Sequence, residues 1–187
     1  MSGNAREAIL SAARRAAQAH GYAGLNFRDL AAEVGIKAAS IHYHFPGKAD
    51  LGAAVAQRYW QDTAAELDAM LADAPDPLDC LRRYPLIFRR SLENGNRLCL
   101  CSFMAAESDD LPETVKVEVR TFTDVNVAWL SKVLAAAGHA DTAANDTRAR
   151  AMFAAVAGAQ LVARSRADPD LFDSLIASYR ETGLLPG

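Results

Sequence analysis

Residues 26–51, NFRDLAAEVGIKAASIHYHFPGKADL, hold two short helical patterns parted by a glycine and followed by the start of a third helix. Asn26 is a good N-cap and Asp29 stands three positions on, a capping-box-like arrangement that starts a helix near Phe27. Phe27, Leu30, Ala31 and Val34 then share one face at helical spacing. Gly35 comes next, where a left-handed residue lets the chain turn sharply. Past the turn, Ile36 and Ile41 are placed to pack back on the first helix, while Lys37, Ser40, His42, Tyr43 and His44 face outward. Such a face suits a phosphate backbone and base edges, so the stretch reads as a helix-turn-helix. An ordinary helical hairpin with a polar outer face fits the same spacing.

The run AAEVGIKAASIHYHFPGKADL resembles the signature of the TetR family of transcriptional repressors. In that family the recognition helix ends in a Tyr-x-His-Phe or similar run before a helix led by lysine. His42, Tyr43, His44, Phe45 and Lys48 occupy those places. The resemblance covers residues 1–60; beyond them it rests only on helical layout and length.

Charge separates the same head from the rest of the chain. Residues 1–60 hold seven Lys or Arg against four acids, a net of +3, whereas the remainder holds 13 against 19, a net of −6; together they make the chain's −3. An acidic pI of about 5.8 thus conceals a basic head able to neutralise phosphates. The 51% hydrophobic content contains no apolar run near 20 residues, so no membrane span is expected. Residues 4–20 alternate Arg, Glu and Gln with alanine and leucine, which is not a signal peptide, and a cytoplasmic location is expected.

Helices are expected throughout, about nine in an all-α fold, with no strand. The first covers 5–20, ended by Gly21, and braces the helix-turn-helix. Pro46-Gly47 breaks the chain before a long helix over 48–72, the natural mechanical link. Others are expected over 78–93, 98–107, 111–137, 146–166 and 169–182. The expected domains are a three-helix DNA-binding domain over 1–47 and a larger helical domain for effector binding and dimerisation over 48–187.

Within the head, Arg28 and Lys48 lie near helix N-termini and are the expected phosphate contacts. Lys37, Ala38, Ala39, Ser40 and His42 open the recognition helix, where lysine can donate to guanine and alanines can touch thymine methyls. Tyr43 and His44 are assigned to the backbone, and the resemblance implies phosphate contacts at Tyr43 and Lys48. Phe45 is assigned to the core.

In the body, residues 152–165, MFAAVAGAQLVARS, are rich in small residues that suit close helix approach or internal packing alike. The resemblance implies dimerisation by the two C-terminal helices, with Ala155, Gly158, Ala159 and Val162 as candidate interface. A homodimer would hold two recognition helices about 34–36 Å apart, one DNA turn, on a palindromic operator. Tyr84, Phe88, Phe103, Met104, Phe122, Trp129 and Met152 come from different helices and are candidates to line an effector pocket; plain core is the competing reading.

The cysteines Cys80, Cys99 and Cys101 are too few and wrongly spaced for a standard zinc site, and their simplest role is as small buried hydrophobes. Against that, Asn96 is placed to cap a helix with Cys99 in its first turn near Arg97, a setting that favours thiolate. This resembles the electrophile- and oxidant-responsive group of TetR-like repressors, and implies a thiol switch at Cys99, or Cys101, as the alternative to a reversible ligand. Cys99 and Cys101 point to nearly opposite sides of a helix and are not expected to bridge.

Catalysis is not expected. His42 and His44 face apart on a helix, no histidine is evidently paired with Cys99, and no phosphate-cradling glycine loop occurs, so neither a metal nor another cofactor is expected. A non-specific DNA binder would be far more basic.

Overall fold

The computed structural model describes residues 2–139 and 141–187; Met1 and Ala140, which the two expected domains include, lie outside the described residues. The described residues form α1 (Ser2–His20), α2 (Phe27–Val34), α3 (Ala38–His44), α4 (Lys48–Asp73), α5 (Pro77–Arg83), α6 (Pro85–Glu93), α7 (Leu100–Ala106), α8 (Glu113–Ala136), α9 (Thr142–Ser165) and α10 (Pro169–Glu181), with no strand among them. Two single 3-10 turns, Tyr22–Gly24 and Ser108–Asp110, complete the architecture. The all-α expectation holds. The helix expected over 78–93 is a pair, because Pro85 brings no N–H and starts α6 at its first turn, directly after the Tyr84 cap. Taken as one kinked unit, that pair gives the expected nine.

Local chemistry sets the remaining boundaries. Asp76, Asp141 and Asp168 each accept from backbone amides at the starts of α5, α9 and α10. The segment before α7 departs from expectation. Asn96 takes φ +53 and its amide donates to the Leu92 carbonyl, so the preceding helix is still being closed there. The next helix opens only at Leu100, which leaves Cys99 ahead of it rather than in its first turn.

Two compact units emerge, each discontinuous in sequence. One is the chain up to Asp62 with Leu100–Phe122; the other is Thr63–Cys99 with Thr123–Gly187. The boundary expected after residue 47 lies inside the first unit, and both α4 and α8 run through a unit boundary.

In the first unit, Ile9, Ala12, Ala13 and Ala17 of α1 are fully buried, and alanine's small side chain lets α2 and α3 pack closely on that face. Ile9, Leu30, Ile41 and Leu51 are also fully or almost fully buried, each contributing about 1.5–3 kcal/mol by leaving water. In the second unit α9 packs on α10 and α6. Its buried polar centre is Gln160, which donates to the Phe88 carbonyl at 2.6 Å and accepts from the Cys99 amide at 3.0 Å. Among the described residues no helix is long and apolar enough to cross a membrane.

Candidate nucleic-acid interface

The α2–α3 turn is built from the residues that announce it. Asn26 Oδ1 accepts from the Arg28 and Asp29 amides at 2.9 and 3.3 Å and fixes the start of α2. Gly35 ends the helix at φ +75, with the Ile36 amide reaching the Ala31 carbonyl at 3.0 Å and the Gly35 amide reaching Ala32 at 3.3 Å. These paired bonds are a Schellman closure, which needs the left-handed residue that glycine supplies without a Cβ penalty. Asp50 then reaches back to the Gly47 amide at 2.9 Å and caps α4.

On this frame the residues of α3 divide as the spacing requires. Ile41 and Phe45 are buried, whereas Lys37, Ala38, Ala39, His42 and Tyr43 are exposed, Tyr43 by 81%. Ser40, His44 and Lys48 are half-buried, and Arg28 is exposed. The His42 ring rests on Phe27, centroids 4.7 Å apart, with Nδ1 at 3.4 Å from the Pro46 carbonyl, so α2 holds it in place. Tyr43 meets His44 edge to face at 5.1 Å.

The cations of the head fall into two populations. Arg14 pairs with Asp62 at 3.1 Å, Arg15 with Glu33 at 2.7 Å, and Arg58 with Glu7 at 3.0 Å and Asp62 at 2.9 Å. Arg6 lies 3.9 Å from Glu7 and over the Phe45 ring. Arg28, Lys37 and Lys48 have no carboxylate partner among the described residues. Their charge is left for an anion from outside. Those three are the cations that the sequence assigns to DNA.

Lys48 also braces the head from within, since its Nζ donates to the Ala23 carbonyl at 3.3 Å and lies 4.6 Å from the Tyr22 ring centre. The same 3-10 turn is held by Glu107, whose Oε2 accepts from the Tyr22 amide at 2.6 Å. Gly21 makes this possible, since at φ +64 a Cβ would fall 2.3 Å from the Glu107 carboxylate. Sequence reasoning missed Glu107 as a support of the head, because its partner lies 85 positions away.

The body candidates are dispersed. In the second unit Tyr84, Phe88, Trp129 and Met152 are buried; Tyr84 stacks on Trp129 at 5.9 Å, approaches Phe88 at 5.6 Å, and its hydroxyl donates to Asn126 at 2.8 Å. Burial pushes the Tyr84 hydroxyl well above its ordinary pKa, so it remains a donor. Phe103, Met104 and Phe122 belong to the first unit, where Phe122 packs on Tyr59 at 5.5 Å. Cys80, Cys99 and Cys101 are all buried. Burial pushes the Cys80 thiol up, away from thiolate.

On α9, Gly158 is exposed, Val162 is 45% exposed and Ala155 half-buried, while Ala159 is fully buried in the chain's own core. Leu161, at 57% exposed, adds apolar area to the outer face. No group of three or more His, Cys, Asp or Glu among the described residues is arranged to hold a metal.

Known proteins share this architecture. Residues 9–55 match the sequence profile of the bacterial regulatory proteins of the tetR family. The chain is similar to a TetR-family transcriptional regulator from Agrobacterium tumefaciens, with 30% identity, 97% of this chain and 98% of that chain covered, and a TM-score of 0.88. It is also similar to a TetR transcriptional regulator from Legionella pneumophila, at 28% identity, covering 95% and 96% of the two chains with a TM-score of 0.88. Reduced E. coli NemR shares the fold at a TM-score of 0.80 with 18% identity over 97% of each chain, a likeness of fold alone. No curated protein matches the chain significantly.

Proposed function

Because this chain belongs to the TetR family of bacterial regulatory proteins and is thereby a DNA-binding transcriptional regulator, we propose that it is a repressor that grips a palindromic operator as a homodimer and lets go when an effector binds its body. The observation that carries this reading is the sorting of the head's cations: those without a carboxylate partner among the described residues, Arg28, Lys37 and Lys48, belong to the helix-turn-helix and the helix start that follows it. Arg28 and Lys48 neutralise phosphates, and the hydroxyl of exposed Tyr43 and the His44 ring beside it donate hydrogen bonds to them. Lys37, Ala38, Ala39, Ser40 and His42 read base edges in the major groove.

The dimer forms through the outer face of α9, where Gly158 and Ala155 permit close approach and Leu161 and Val162 supply apolar area. Two heads about 34–36 Å apart then meet successive major grooves. The work is done in the cytoplasm, where the operator is. Effector binding changes that spacing through α4, and a coupling of about 1–3 kcal/mol weakens operator binding roughly 5- to 150-fold. A reversible ligand is favoured over modification of Cys99 or Cys101, because both thiols are buried.

Selection of bound fragments from genomic DNA, followed by footprinting, tests the reading. The expected result is enrichment of a palindrome whose half-site centres lie about one helical turn, or a multiple of it, apart. Equal retention of random and genomic fragments would overturn it.

A further inference from the structure

Three segments far apart in sequence meet at the turn that follows α1, all within the first unit. Glu107, half-buried and directly after α7, accepts from the Tyr22 amide through Oε2 at 2.6 Å. The Tyr22 ring in turn lies so close on α4 that a Cβ at Gly52 would fall 2.7 Å from its Cε2. One helical turn before Gly52, on the same face of α4, the Lys48 Nζ sits 4.6 Å from the centre of that ring and donates to the Ala23 carbonyl at 3.3 Å. Glu107 thus anchors the two adjacent residues that hold the ammonium group.

The sequence makes room for this arrangement at both ends. Gly21 admits the Glu107 carboxylate, which a Cβ there would meet at 2.3 Å, and Gly52 admits the Tyr22 ring. What the arrangement supplies is order in a side chain that is otherwise rich in rotamers. A free lysine gives up that freedom when it settles on a phosphate, whereas one already held gives up less. The ammonium has three donors, so the bond to Ala23 leaves the others for an anion.

We propose that Glu107 is a positioning residue for DNA binding: by holding the Tyr22–Ala23 turn it presets the Lys48 ammonium for a phosphate. The effect on DNA rests on the reading of Lys48 as a phosphate contact given above, whereas the hold on Lys48 does not.

Charge counting and positioning predict opposite signs. Removing an acid from a DNA-binding unit should, by charge alone, tighten its grip on any duplex, whereas releasing Lys48 should weaken it. The full chain, Glu107→Ala, Glu107→Gln, Lys48→Ala and the double variant Glu107→Ala with Lys48→Ala are titrated onto a mixed-sequence DNA duplex at low salt. Glu107→Ala should bind about 2- to 12-fold more weakly per subunit, the order that ordering one long side chain costs. Glu107→Gln, which loses the same charge but keeps an acceptor oxygen, should restore binding. Where Lys48 is already alanine, Glu107→Ala should weaken binding no further. Unchanged or tighter binding by Glu107→Ala, or equal weakening with and without Lys48, overturns the proposal. Acylation of the lysine amines in the DNA-free protein, read by mass spectrometry, reports the hold itself. Lys48 should react more slowly than the exposed Lys37 in the unsubstituted protein and gain speed in Glu107→Ala. Equal rates at Lys48 and Lys37 in the unsubstituted protein overturn the proposal however the variants fold. Slow acylation of Lys48 together with undiminished DNA binding by Lys48→Ala sinks the phosphate reading of Lys48, and the role of Glu107 in DNA binding with it.

Discussion

Tyr43 on α3 stands 81% exposed and Lys37, at the start of that helix, has no acid to pair with among the described residues, whereas Tyr84 in the second unit has no exposed surface and gives its hydroxyl to Asn126 at 2.8 Å. Two tyrosines of one chain thus serve opposite ends. The head leaves polar groups unmet at its surface, where water satisfies them until a nucleic acid does. In the body Gln160 is buried and matched on both sides, by the Phe88 carbonyl and the Cys99 amide. The groups on α3 are therefore open to a partner from outside, whereas Tyr84 and Gln160 are already committed within the chain.

The contrast can be broken most severely at α9. A Cβ at Gly158 meets nothing within 4 Å, so Gly158→Arg should spare the fold of the subunit while blocking a second copy. Sedimentation should show monomers, and operator affinity should fall about a hundredfold or more with the loss of two-headed binding. Within the head, Gly21→Ala puts a methyl group on the Glu107 carboxylate at φ +64, and chemical denaturation should show a loss of about 2–4 kcal/mol. In a Glu107→Ala background the same change should cost only the backbone strain of about 1–2 kcal/mol.

In the body, Gln160→Leu should cost about 2–4 kcal/mol in the same assay, because the Phe88 carbonyl and Cys99 amide both lose their partner. Lys37→Ala should weaken operator binding by about 1–3 kcal/mol and relax the preference at one base position, read by competition with single-base operator variants. The smallest effect belongs to Arg15→Ala, which breaks an exposed pair with Glu33 and should change unfolding by about 0–1 kcal/mol.

How far the sequence spoke depended on distance along the chain. Asn26 and Gly35 act on neighbours within a few positions, so the turn and the start of α2 were legible, whereas the Asp50 cap of α4 was not read although its partner Gly47 is three positions away. Pro85 carried a readable local signal as well, a helix break that the hydrophobic pattern across 78–93 masked. Glu107 on Tyr22 and Gln160 on Cys99 join segments 85 and 61 positions apart, and nothing near either residue announces its partner. Ala159 and Gly158 differ by one position, yet Ala159 is buried and Gly158 exposed, and only packing reveals which of them is outside. Asn96 misled because capping residues also suit left-handed positions, and the left-handed role won.

On the proposed reading Arg28 and Lys48, and not the paired cations of the head, meet the phosphates. It is tested most directly by the salt dependence of operator binding for the unsubstituted protein, Arg28→Ala and Arg15→Ala. Each phosphate contact contributes about 0.9 to the slope of log affinity on log salt, so removing Arg28 from both subunits should flatten that slope by about two. Arg15→Ala should leave it unchanged. Equal flattening in both variants would contradict the account, because ion pairing within the head would then say nothing about which charges face the DNA.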